Sequence, residues 1–111
     1  MSSRDKGNFS ESRACSYLED RDFIIIERNY YAKKLGEIDI IASKDGILHF
    51  VEVKSALADF DPIYNLTKGK LKKVINSAFY FMKERKLHMA FSIDAMIIRD
   101  EEIEFIENIT M

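Results

Sequence analysis

The sequence is short of the residues that mark disulfide-linked, fibrous or disordered chains, since its 111 residues include one Cys, one Pro and four Gly. A single cysteine, Cys15, cannot form a disulfide within the chain, and so little Pro and Gly excludes a collagen-like or low-complexity protein. Hydrophobic residues make up 47% of the chain and charged residues 32%, as in packed globular proteins. We therefore expect one domain over residues 1–111.

Long hydrophobic runs are also missing. The longest are only a few residues, such as Ile24–Ile26, whereas a membrane-spanning helix needs about 20. No apolar stretch follows the polar start Met1–Lys6, so the sequence shows no signal peptide. We expect a cytoplasmic protein with no membrane partner.

The spacing of apolar residues predicts the order α-β-β-β-α-β, followed by a short strand or helix. Helical spacing covers two segments, about Ser10–Asp20 and Thr67–Lys86. Strand patterns cover four segments: Phe23–Tyr31, Gly36–Ser43, Ile47–Lys54 and His88–Arg99. The second helix is long enough to cross over the sheet, which predicts an α/β fold with a mixed sheet and flanking helices.

Asp45 and Gly46 predict a tight hairpin between the second and third strands. With these two residues as the turn, Lys44 pairs with Ile47 and, further along, Asp39 faces Glu52. Two carboxylates in such positions repel each other, so a cation or a shared proton should compensate. Glu37 would face Lys54 in the same register.

Lys54 follows Glu52 by two residues and therefore points to the same side of its strand. Carboxylate oxygens suit a hard cation such as Mg²⁺, with Lys54 placed to orient water or offset negative charge. Such a set is typical of phosphodiester hydrolysis. A salt-bridge ladder in which Glu37 pairs with Lys54 is the structural alternative.

Glu11 shares its helical face with Ala14 and Leu18, so it should point inward and add a third carboxylate to the site. A capping-box role with Asn8 explains the same pattern equally well. His49 lies on the strand face opposite Glu52 and His88 at a helix-to-strand junction, so we interpret both as structural. Cys15, on the buried helix face, is expected to be a core residue.

The net charge of −2 argues at first against a nucleic-acid-binding protein. The charge is unevenly distributed, however, because residues 68–86 hold seven basic residues against Glu84, whereas residues 94–107 hold six acids against Arg99. A basic helix can contact nucleic-acid phosphates, although a solvated helix face is an equally good explanation. The candidate contacts are Lys68, Lys70, Lys72 and Lys73.

Two segments, Gly36–Ala42 and Phe50–Lys54, closely resemble the signature of the bacterial YraN family (UPF0102). Further matches fall on Gly7, Glu11, Ala14, Tyr17, Leu18, Arg28, Asn29, Thr67, Lys70, Ala78 and Tyr80. That family is similar to archaeal Holliday-junction resolvases within the restriction-endonuclease-like PD-(D/E)XK superfamily. The sequence departs from the family at Ser55–Leu57, where a basic residue is usual, and in its acidic Asp59–Asp61 segment.

The resemblance implies a restriction-endonuclease-like core. It also implies that Asp39 and Glu52 bind the metal, that Lys54 assists the water and that Glu11 completes the catalytic set. It selects Lys70 among the possible DNA contacts.

The resulting hypothesis is a Mg²⁺- or Mn²⁺-dependent endonuclease acting on DNA, with branched or junction DNA as one candidate substrate and a homodimer as one option. A non-catalytic nucleic-acid-binding or interaction module on a nuclease scaffold is the alternative. A purely structural α/β protein is the third possibility.

Overall fold

The computed structural model describes residues 3–55 and 68–110, and in the first helix it describes side chains from Phe9 onward. Two α-helices, one 3₁₀ helix and five strands are present in these residues. In chain order they are α1 (Ser3–Glu19), β1 (Ile24–Tyr31), the 3₁₀ helix (Lys33–Leu35), β2 (Glu37–Lys44), β3 (Ile47–Ser55), α2 (Lys68–Glu84), β4 (Ala90–Ile98) and β5 (Ile103–Ile106).

The strands form one sheet in the order β1-β2-β3-β4-β5. All neighbouring pairs are antiparallel except β3 and β4, which are parallel and separated in the chain by α2. Parallel neighbours require such a crossover, because the chain must return to the starting edge of the sheet. The predicted α/β fold, the mixed sheet and the element order are thereby confirmed, and the short last element is a strand.

The hairpin between β2 and β3 turns at Asp45 and Gly46, whose φ angles are 51° and 78°. Positive φ at both central residues is what a two-residue type I′ turn needs, and it sets the register of the strands that follow. Lys44 pairs with Ile47 and Ile41 with Phe50, as predicted.

A hydrophobic core lies on each face of the sheet. On the α1 side, Ala14 and Leu18 pack against residues that include Val51 and Met96. Cys15 is buried in the same core, as predicted. On the α2 side, residues from the helix (Val74, Ala78, Phe81) pack against strand residues such as Ile38, Leu48, Phe50 and Ile93. The two helices thus cover opposite faces of the sheet. Successive side chains of one strand point alternately toward the two helices.

The structure differs from the expected elements mainly at the ends of the helices. α1 begins at Ser3 rather than near Ser10, so Asn8 lies inside the helix and the capping-box explanation for Glu11 is wrong. α2 ends at Glu84, and its predicted start at Thr67 lies outside the described residues, as does the Asp59–Asp61 segment. No helix in the described part of the chain is long and apolar enough to cross a membrane.

Candidate functional site

The predicted site residues lie where β2 and β3 stop pairing with each other. The backbone ladder ends at Ile40 and Val51. Beyond it, a side chain takes the place of a backbone acceptor, because Oδ2 of Asp39 receives the backbone N–H of Val53 at 2.8 Å. The ladder does not reach the two pairs that the register predicted, Asp39–Glu52 and Glu37–Lys54.

The regular alternation of β2 side chains between the two faces of the sheet is interrupted at Asp39. Ile38 packs in the core on the α2 side, whereas Ile40 packs on the α1 side. In a regular strand, residues two apart lie on the same face. Asn29, in the neighbouring strand β1, has a left-handed φ of 53° at the same level of the sheet. Because both strands are irregular here, the Asp39 carboxylate can reach across to Val53.

Burial and a neighbouring carboxylate make the ionised form of Glu52 unfavourable. Loss of solvent is the largest cause and the negative charge of Asp39 the second, and together they raise the pKa of Glu52 to about 8. The Lys54 ammonium and the backbone N–H of Asp39 act in the opposite direction. In addition, Oε1 of Glu52 is buried and has no hydrogen-bond partner among the described residues.

Asp39 experiences the same environment in a milder form. Burial raises its pKa to about 6, against the hydrogen bond from Val53, which favours the charged carboxylate. The negative charge of Glu11 raises the pKa further, and the positive charge of Lys54 lowers it. Asp39 and Glu52 thus form a close, partly buried pair of acids whose negative charges are incompletely compensated by Lys54.

Glu11 points inward from α1, as the helical spacing predicted, and its side chain is only 12% exposed. Its Oε2 atom has no hydrogen-bond partner among the described residues, although a guanidinium nitrogen of Arg28 lies 3.9 Å away. One residue earlier, the Ser10 hydroxyl is hydrogen-bonded to the Ser55 hydroxyl at 2.5 Å. This link joins α1 to the end of β3, and Glu11 lies close enough to Asp39 for its negative charge to raise the pKa of that carboxyl.

Lys54 and Glu52 line a cavity of about 150 Å³ between the sheet and α2. The helix contributes Lys70 and Lys73 to the same cavity, and Glu37 lies at its wall. Two of the four predicted nucleic-acid contacts therefore line the same cavity as Glu52 and Lys54. Lys68 and Lys72 are exposed and do not line the cavity.

Two carboxylates at one site are a donor set that suits a hard divalent cation. Mg²⁺ commonly takes one or two carboxylates from a protein and completes its shell with water and phosphate oxygens. The buried, unpartnered Glu52 oxygen and the raised pKa values indicate that the negative charge of the pair needs compensation, by a retained proton or by a cation. Within residues 9–55 and 68–110, no group of three or more His, Cys, Asp and Glu side chains could hold a metal ion. Glu11 as a third ligand stays a prediction.

Sequence reasoning missed a second polar cluster, on β3 and β4. The buried His49 places Nδ1 2.6 Å from Oδ2 of Asp94, which is fully buried. The signal was a charged residue, Asp94, within the apolar run Ile93–Ile98, but the charge pattern groups it with the acidic segment that follows. The interpretation of His49 as a residue facing away from Glu52 agrees with its place on the α1 side.

The fold and the site together define a small mixed α/β protein with a partly buried carboxylate pair and a lysine at the end of a central hairpin. The model of the uncharacterised protein family UPF0102 matches residues 10–98, which include every residue of that site. The chain therefore belongs to the UPF0102 family.

Relatives with the same description cover nearly the whole chain. A UPF0102 protein of Sulfurovum sp. (strain NBC37-1) is 63% identical over 105 residues, which cover 95% of this chain and 93% of the relative. One from Wolinella succinogenes is 53% identical over 109 residues, covering 98% and 99%. One from Aliarcobacter butzleri is 48% identical over the same length and the same shares. These descriptions name a family and no activity.

Proposed function

We propose that this protein is a metal-dependent nuclease that hydrolyses phosphodiester bonds in DNA on a restriction-endonuclease-like fold. One observation supports this above all: two partly buried carboxylates, Asp39 and Glu52, share a site with Lys54, which compensates their charge only in part. Neither a salt-bridge ladder nor solvation satisfies them. A proton held by Glu52 or a bound cation would satisfy them, and only the cation would also attract a phosphate.

In this proposal Asp39 and Glu52 hold Mg²⁺ or Mn²⁺, with Glu11 as the supporting carboxylate. The ion, when bound, would stabilise charge on the phosphate and lower the pKa of a water molecule. Lys54 lies beside the pair, where its ammonium can orient a water molecule or offset negative charge on a phosphate oxygen. The hydrogen bond from Val53 keeps the Asp39 carboxylate in one orientation.

The substrate class follows from the lysines of α2. Lys70 and Lys73 line the cavity beside the pair, and Lys68 and Lys72 lie exposed in the first two turns of the same helix. Lysine contacts to phosphates carry no base-specific information. We propose that the protein selects DNA by shape, with branched DNA as the candidate, and that a homodimer could address two strands.

A cleavage assay tests the activity directly. Linear, flapped and four-way DNA are incubated with Mg²⁺ or Mn²⁺ and with wild type or the Asp39→Asn variant. We expect cleavage of at least one substrate by wild type and loss of at least about 100-fold in Asp39→Asn. Asp20→Asn, at an exposed position after α1, is the matched control and should cleave like wild type. Equal cleavage by Asp39→Asn and wild type would remove the assignment.

The rival function is a DNA-binding module that keeps the scaffold without turnover. It predicts salt-sensitive binding that survives Asp39→Asn, with no cleavage of any substrate. Titration of Mn²⁺ into wild type and into an Asp39→Asn, Glu52→Gln double variant, followed by calorimetry, tests the metal site independently of both functions. We expect heat of binding in wild type alone, whereas equal responses would exclude a metal at this pair.

A further inference from the structure

A second cavity, of about 470 Å³, lies at the opposite end of β3 from the carboxylate pair and on the other face of the sheet. The aromatic side chains of Tyr17, Phe23 and Phe105 line it together with His49. Its volume lies within the range of small-molecule sites, about 300–1,000 Å³. A cavity of this size beside a buried imidazole has no part in the function proposed above.

Buried hydrogen bonds hold His49 in a fixed orientation at this cavity. One oxygen of Asp94 accepts hydrogen bonds from the Ser92 hydroxyl at 2.5 Å and from the Asn108 backbone N–H at 2.9 Å. The other oxygen lies 2.6 Å from Nδ1 of His49. Nδ1–H is therefore the donor, and Nε2 is the nitrogen left for a ligand.

The imidazole ring is fixed from the sides as well. Phe23 packs edge-on against it with centroids 4.9 Å apart, and Phe105 lies 6.5 Å away. One nitrogen of His49 is hydrogen-bonded to a buried carboxylate, and two aromatic rings pack near its own ring. His49 is therefore a preorganised hydrogen-bonding group.

Two cations are held at the cavity by aromatic rings rather than by carboxylates. The Arg21 guanidinium lies 3.5 Å from the centre of the Tyr17 ring, and the Lys44 ammonium lies 5.1 Å from that of Phe23. Within the described part of the chain, neither Arg21 nor Lys44 forms an ion pair with an acid. Arg21 donates one hydrogen bond, from Nη1 to the backbone carbonyl oxygen of Tyr17 at 3.1 Å, so its positive charge, like that of Lys44, is not paired with an acid.

The cavity also contains acceptors, because Asp45 and Glu107 are among its lining residues. A simple anion would gain from the cations and lose from these carboxylates. A ligand that joins an anionic group to a flat ring with amino donors would satisfy both sets. Such a ring would also pack against the three aromatic side chains.

We propose that this cavity binds the 5′-phosphate end of a nucleotide, with the phosphate toward His49, Lys44 and Arg21 and the base among the aromatic rings. With Nδ1–H donated to Asp94, Nε2 presents a lone pair, which a phosphate monoester can meet with the P–OH group that it retains in part near its second pKa of about 6. A carboxylate lacks that donor near neutral pH. The proposal does not depend on the nuclease proposal, since it uses none of the same residues.

The same chemistry occurs in a free mononucleotide and at the 5′ end of a nucleic-acid strand. The test therefore uses adenosine 5′-monophosphate, adenosine and inorganic phosphate, together with a six-nucleotide DNA strand with or without a 5′-phosphate. Binding to the full-length protein is followed by ¹⁵N-resolved NMR and by calorimetry, without divalent metal. The two sources are distinguished by whether the mononucleotide or the phosphorylated strand binds more tightly.

We expect the phosphate-bearing ligand to bind at least about tenfold more tightly than adenosine or inorganic phosphate, since each supplies only half of the contacts. Resonances of His49, Phe23 and Phe105 should shift on binding. Lys44→Ala and Arg21→Ala should each weaken binding about fivefold or more. Lys34→Ala, at an exposed position of the 3₁₀ helix, is the matched control and should bind like wild type.

His49→Gln tests the imidazole itself, and its folding is checked by thermal unfolding before binding is compared. If His49→Gln unfolds, Lys44→Ala and Arg21→Ala alone test the binding proposal, because neither of these side chains is part of the core. No shift at His49 with millimolar mononucleotide and phosphorylated strand would overturn the proposal. Equal affinity of Lys44→Ala, Arg21→Ala and wild type would do the same.

Discussion

At Glu52 the fold opposes the ordinary behaviour of a carboxylic acid. A glutamate in water releases its proton near its ordinary pKa of 4.5, whereas the burial of Glu52 and the Asp39 charge raise its pKa to about 8. The folded protein therefore binds this proton more tightly than the unfolded chain does. Such a group destabilises the fold increasingly as pH rises from its pKa in the unfolded chain to its pKa in the folded protein. At a pH below both pKa values it has no effect on stability.

This sign predicts a pH-dependent effect of Glu52→Gln. At pH 8 the amide removes the cost of a buried charge, so the variant should be more stable than wild type by about 2 kcal/mol or more, since one pKa unit corresponds to about 1.4 kcal/mol. At pH 4 the two proteins should differ by less than about 1 kcal/mol, because wild type is then protonated in both states. Urea unfolding without divalent metal measures both values.

Glu101→Gln, at an exposed acid, is the control and should change stability by less than about 0.5 kcal/mol at either pH. A Glu52→Gln variant that is less stable than wild type at pH 8 would show that the carboxylate is stabilised by its surroundings, contrary to this account.

At the scale of single elements, the irregular stretch shared by β1 and β2 determines where Asp39 points. Asn29 adopts a left-handed φ of 53° in β1, and the faces of β2 exchange at the same level. Asparagine adopts this conformation more readily than other residues with a side chain, and glycine does so most easily. Alternation along β2 predicts a regular strand, so neither the exchange nor the Asp39–Val53 hydrogen bond was visible in the sequence.

Substitutions at Asn29 test this role. Asn29→Ala should destabilise the protein by about 1 kcal/mol, because alanine is strained at positive φ, whereas Asn29→Gly should stay within about 0.5 kcal/mol of wild type. Thermal or urea unfolding measures the difference. Equal stability of the alanine and glycine variants would mean that the left-handed residue does not constrain the two strands.

For the whole molecule, the uneven charge matters more than the total of −2. The basic residues of α2 begin beside the carboxylate pair, while acids follow β4. If α2 faces DNA, binding should weaken steeply as salt rises, because each phosphate contact releases counterions.

Replacing both Lys70 and Lys73 with alanine should lower affinity for every DNA sequence alike. It should also reduce the slope of log K against log salt by about 1 for each phosphate that the variant no longer neutralises. Fluorescence anisotropy at several salt concentrations measures this. Lys86→Ala, beyond the far end of the helix, should leave the slope unchanged. If the slope falls equally in the Lys70/Lys73 variant and in Lys86→Ala, then net charge drives binding, and the lysines that line the cavity have no special part in it.

The element order and the hairpin register were predictable because they depend on local signals, above all the Asp45–Gly46 turn and the helical spacing around Val74 and Ala78. The candidate carboxylates were predictable as neighbours for the same reason. The His49–Asp94 pair was not, because it joins two parallel strands across a crossover. No local pattern records which residues such strands bring together.

The hydrogen bond from Val53 gives Asp39 two roles, since the same carboxylate ends the backbone ladder and belongs to the candidate metal site. An amide oxygen can still accept that N–H, whereas a methyl group cannot. An inactive Asp39→Ala protein would therefore leave open whether chemistry or framework had failed. Asparagine and alanine at this one position form a matched pair that separates the ligand from the strand end it supports.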